Sequence, residues 1–124
     1  MSKLLRLYLI IAAVAFFAAF AIQAFVPQIG GSGTIWGLAP GWQREIAFWN
    51  IAMLVVVVGI LRAEDGIGGR ALVGGLVTLG LLLGTNHLVA IISDPYAWAH
   101  YLPMIANYLG TVVGAVVLLR ERRA

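Results

Sequence analysis

Four apolar stretches dominate this chain, and each is long enough to cross a lipid bilayer as a helix. They run over about residues 4–26, 43–61, 71–92 and 101–119. At about 1.5 Å per residue, roughly 20 residues span a hydrocarbon core about 30 Å thick. Backbone amides have no water to bond in that medium, so an apolar stretch of this length is read as a helix. The expected fold is therefore all-α: a single domain over residues 1–124, built as an up-and-down bundle of four transmembrane helices. Composition agrees, with 62% hydrophobic and 10% charged residues against about 25% charged in soluble domains.

The first stretch follows Lys3 and Arg6 and contains Ala19-Phe20-Ala21, features shared with signal peptides. Its apolar run exceeds an ordinary signal core, so it is read as a retained helix. Ala12, Ala15 and Ala19 give it a small-residue face, and Gln23 is its one strongly polar side chain. The Gly- and Pro-rich segment from Pro27 to Trp42 reads as a loop, with Trp36 and Trp42 suited to a membrane–water boundary. In the second stretch Glu45 falls in the first helical turn, and Glu45, Trp49, Ala52, Val56 and Gly59 share a face. A short polar connection, Arg62 to Arg70, leads to the third stretch.

That third stretch places Val73, Leu76, Gly80, Gly84, His87 and Ile91 on one face. Gly80 and Gly84 have the spacing that lets a second helix approach closely. Asp94 is expected to cap a helix that starts at Pro95. In the fourth stretch His100, Pro103, Asn107, Gly110 and Gly114 align, Pro103 is expected to bend the helix, and His100 is expected at the wet interface.

The charges set an orientation. Lys3, Arg6, Arg62, Arg70, Arg120, Arg122 and Arg123 would share one side, leaving Arg44 on the other. The positive-inside rule then places both termini in the cytoplasm, N-in and C-in, in the cytoplasmic membrane. The net charge of +3 is thus spent on orientation and contact with the lipid bilayer, and no nucleic-acid partner is expected.

Nearly all unusual polar groups fall in the outer half: Gln23, Glu45, Asn50, Asn86, His87, Asp94, His100 and Asn107. Ionisable groups at membrane depth are costly and mark functional sites. The candidate ligand-binding set is Glu45, His87, Asn50, Asn86, Asn107 and Trp49, arranged around Glu45 and His87 in an outward-facing polar pocket. Each has a structural alternative: an interhelical hydrogen bond for the asparagines and His87, a first-turn charge for Glu45. The absence of cysteine excludes thiolate metal sites and disulfides. His87, His100, Glu45 and Asp94 could supply nitrogen and oxygen metal ligands but lack a metal-binding spacing. No haem, nucleotide or catalytic signature is readable, so no cofactor or reaction is assigned.

Glu45 to Leu61, the Gly84-Thr85-Asn86-His87 element and a last helix with an early proline resemble a family of small bacterial four-helix membrane proteins of unknown function. More broadly they are similar to DoxX-like proteins. Glu45, Asn50 and His87 stand at the positions the family shares; the resemblance implies that Glu45 and His87 act together, and it supplies no reaction. Three functions are carried forward. One is binding of a small molecule, ion or proton. The second is an accessory subunit of a larger membrane complex; the expected partners are the lipid bilayer and either a membrane complex or further copies of the chain. The third is a membrane enzyme acting on a lipid or quinone-like substrate.

Overall fold

The computed structural model describes residues 1–122; Arg123 and Ala124 of the basic tail lie outside the described residues. Five α-helices follow in order: α1 (Lys3–Phe25), α2 (Pro27–Gly31), α3 (Pro40–Ala63), α4 (Gly66–Ser93) and α5 (Tyr101–Glu121). A single 3-10 turn, Trp98–His100, leads into α5. No strand occurs among the described residues. Helices α1, α3, α4, and α5 together with its preceding turn are each long and apolar enough to cross a membrane. Large apolar side chains such as Val14, Phe48, Val55, Leu82 and Leu109 are more than half exposed. Such an apolar exterior suits a hydrocarbon solvent.

Three boundaries differ from the sequence expectation, each for a local reason. Pro40 occupies the first helical position of α3, where its missing N–H costs nothing, so that helix starts before Gln43. The polar connection shrinks to two residues, because the Asp65 carboxylate accepts from the Ile67 and Gly68 amides at 3.0 Å each and starts α4 at Gly66. Pro27–Gly31, expected as loop, forms the short helix α2, again with proline at its start.

The region around Asp94 requires a correction. Asp94 terminates α4 and does not start a helix at Pro95; its carboxylate accepts from the Tyr96 amide at 2.9 Å, an Asx turn that reverses the chain. Helix α5 begins at Tyr101, which puts Pro103 within its first turn, where helix amides lack intrahelical partners.

Helices α1 and α3 pack as one antiparallel hairpin, and α4 and α5 as another. The two hairpins meet through a small apolar core of Leu5, Leu9, Val57, Val73 and Val117. All five lie in the half of the bundle that holds the chain termini. The Ser2 hydroxyl bonds the Glu121 carboxylate at that end, beside an exposed Arg6–Glu64 ion pair of 2.9 Å. Further along, the Tyr8 hydroxyl donates to the Gly110 carbonyl at 3.1 Å and links α1 to α5. Within the second hairpin, a Cβ at Gly80 would stand 2.6 Å from Thr111 Oγ1 and 2.9 Å from the Asn107 carbonyl oxygen. Only glycine lets α5 come so near.

Candidate functional site: a histidine pair under a loop strap

The opposite end of the bundle is closed by polar contacts. After α2 the chain from Ser32 to Ala39 leaves the first hairpin, lies over the turn that precedes α5, and returns to the first hairpin at α3. The Gly33 carbonyl accepts from the Ala99 amide at 3.1 Å, and the Trp98 indole fills the space a side chain on Gly33 would occupy. The Thr34 hydroxyl donates to the Gly31 carbonyl at 3.2 Å and tightens the strap.

Beneath the strap lie two histidines. His100 has 0% of its surface exposed, which corrects the expectation that it sits at the wet interface. The reversal at Asp94 and the following 3-10 turn rotate its ring inward, beneath the strap. The Ile35 amide donates to His100 Nε2 at 3.1 Å, and His100 Nδ1 stands 2.9 Å from His87 Nδ1. Trp36 packs on both rings, with centroids 4.4 Å from His100 and 5.0 Å from His87.

These contacts fix the tautomers. A backbone amide can only donate, so His100 Nε2 must be the acceptor and the His100 proton must sit on Nδ1. His100 Nδ1–H therefore donates to His87 Nδ1, which leaves the His87 proton on Nε2. His87 Nε2 has no hydrogen-bond partner among the described residues. It is not sealed away either, because Gln43 Oε1 is the one buried side-chain polar atom without a partner among them. The assembly thus presents a single N–H donor, on a half-buried ring against an indole.

The remaining candidates are dispersed. Glu45 is exposed on α3 and makes no hydrogen bond or ion pair among the described residues, so it is not joined to His87. With Phe48, Trp49 and Ala52 it lines an open groove on the outside of the bundle. The Asn50 amide donates to Gln23 Oε1 at 2.8 Å and ties α3 to α1. The Asn107 amide donates to the Pro103 carbonyl at 2.8 Å, one turn back in its own helix. Asn86 is exposed on α4 and bonds no described residue. Asp94 serves the turn. No three histidine, aspartate or glutamate side chains gather into a metal-binding group among the described residues.

Sequence reasoning placed His87 and His100 in the candidate metal set but not in one hydrogen-bonded pair. The two lie thirteen positions apart with the chain reversal between them, and neither helix phase reports it. Ile35 and Trp36, which orient the pair, carry no sequence signal beyond the interfacial tryptophan. No known family model matches the chain, nor does any curated protein or solved structure.

Proposed function

We propose that this chain is a multi-pass protein of the cytoplasmic membrane that binds a small molecule at the end of its bundle remote from the termini. The binding group is the His87–His100 pair under the Ser32–Ala39 strap. One observation carries the reading: an imidazole pair is held by a backbone amide and an indole, yet its last donor, His87 Nε2, is left without a protein partner. Burying a histidine at membrane depth is costly, and a purely structural pair would be expected to satisfy that donor within the protein.

The charges support the orientation. Lys3, Arg6, Arg62, Arg70, Arg120 and Arg122 flank the end that carries the termini, and Arg44 alone flanks the other. Both termini are then cytoplasmic and the histidine site faces outward. The pair forms no through-going proton path, because it ends at the Ile35 amide, which cannot relay a proton. No enzymatic role is proposed.

A second reading, an accessory subunit of a larger membrane complex, is favoured by Asn86. Its amide is exposed on α4 with no described partner, and such a group within a spanning helix gains from an interhelical hydrogen bond.

Native mass spectrometry of the chain extracted in mild detergent separates the two. A discrete added mass lost in His87→Ala supports the site. A protein bound at fixed stoichiometry and lost in Asn86→Ala supports the subunit reading. The bare chain in both variants and in the parent overturns both.

A further inference from the structure

The tautomer chain also selects the chemistry of the ligand; this step rests on the site proposed above. Each neutral imidazole has one lone pair, and both are occupied. His100 Nε2 accepts from Ile35 at 3.1 Å, and His87 Nδ1 accepts from His100 at 2.9 Å. Neither ring has a nitrogen free to ligate a cation or to accept a proton from a ligand. Either event would first break one of these two bonds. What remains to recognise is a hydrogen-bond acceptor.

Charge narrows the class. The charged residues at this end of the chain are Arg44, Glu45 and Asp94, one positive against two negative, so the local balance of −1 does not favour an anion. The surroundings are apolar: the Trp36 indole stands 5.0 Å from the His87 ring. His87 lies six residues before the end of α4, about 9 Å along a helix that rises about 1.5 Å per residue. For a spanning helix, that depth is close to where the hydrocarbon begins. The accessible N–H has no acceptor from the described residues, and facing hydrocarbon it is best matched by an uncharged oxygen that dissolves in the bilayer.

We propose that His87 Nε2–H is the recognition group for the carbonyl oxygen of a neutral, lipid-soluble ester or ketone. Two sources share this chemistry, the ester carbonyl of a bilayer phospholipid and a free carbonyl compound dissolved among the acyl chains.

The test uses the full chain, 15N-labelled at histidine, in nanodiscs of diester or of diether phosphatidylcholine. Long-range 1H–15N spectra should show the proton on Nδ1 of His100 and on Nε2 of His87. If the lipid ester is the ligand, the His87 Nε2–H resonance lies downfield in diester discs relative to diether discs. If the ligand is a free carbonyl compound, the resonance moves downfield when 2-undecanone is added to diether discs, and undecane has no effect. In the second case the 13C-labelled ketone carbonyl also shifts downfield, and that shift is lost in His87→Ala but kept in Gly59→Ala, where an added Cβ meets nothing within 4 Å.

An identical His87 Nε2–H resonance in all these conditions overturns the carbonyl proposal. So does one-to-one Zn2+ binding that requires both histidines. The two readings fail separately. An added mass lost in His87→Ala, with no response to either carbonyl source, keeps the site and rejects the ligand class. Absence of any His87-dependent mass rejects the site itself.

Discussion

At the scale of single residues, His100 and His87 are chemically alike and structurally unequal. His100 is fully buried, accepts from Ile35 and donates to His87. Its truncation leaves an amide and an imidazole without partners and opens a cavity. Losses of this kind cost about 1–3 kcal/mol per orphaned group, and large buried side chains about 3 kcal/mol or more. His100→Ala is therefore expected to destabilise the protein by about 3 kcal/mol. His87→Ala, at a half-buried position and on the open side of the pair, should cost clearly less. Thermal unfolding in detergent, followed by circular dichroism, checks the order, and equal melting temperatures would contradict the clamp described for His100. Gln43 gives a change of opposite sign. Its Oε1 is buried without a partner, so Gln43→Met keeps the bulk, removes the orphan and should stabilise by about 1 kcal/mol. The same melting experiment reads it.

At the scale of elements, the bundle depends on how closely α4 and α5 approach. A Cβ on Gly80 would meet Thr111 Oγ1 and the Asn107 backbone, and a helix backbone cannot step aside as a flexible side chain can. Gly80→Ala should force the second hairpin apart and cost about 1–3 kcal/mol. Gly59 offers the contrast, since nothing lies within 4 Å of a Cβ there, and Gly59→Ala should be neutral or slightly stabilising. If both variants melt alike, close packing at Gly80 is not what holds the hairpin. The spanning elements were legible in the sequence because length and apolarity alone specify them. Their ends were less so, because they depend on single side chains. Asp65 and Asp94 are chemically identical, yet one bonds the two amides that open α4 and the other bonds Tyr96 and reverses the chain. Helical phase had placed His87 and Gly80 on one face, but it could not show which neighbour His87 meets. That depends on the path of residues 32–39 and 94–100, where no period operates.

At the scale of the whole molecule, two helical hairpins are joined by different means at their two ends. Packing of Leu5, Leu9, Val57, Val73 and Val117 joins them near the termini, and the strap over His100 joins them at the far end. The apolar pattern supplied side chains of the right kind for the first junction but did not pick them out. Of the five only Val73 had been placed on a shared face, and on α3 the phase had grouped Trp49, Val56 and Gly59, which are exposed, where Val57 packs inward. The second escaped it because backbone groups of Gly33 and Ile35 make the joint, and any residue type could supply those. The asymmetry also makes the orientation testable. The chain contains no cysteine, so one introduced thiol is the sole site for a maleimide. Ser32 is exposed at the strap end, and Ser2 lies at the end where the basic residues gather. In intact cells, a membrane-impermeant maleimide should label Ser32→Cys and leave Ser2→Cys unmodified until the membrane is permeabilised. The reverse pattern would place the histidine pair on the cytoplasmic face and show that six basic residues at one end do not set the topology. Labelling of both in intact cells would mean that the population inserts in two orientations. Under the positive-inside rule the imbalance between the two ends argues against that outcome. Moving the charge should then move the protein: substituting Arg62, Arg70 and Arg120 by glutamine, with basic residues added beside Arg44, is expected to raise Ser2→Cys labelling at the expense of Ser32→Cys.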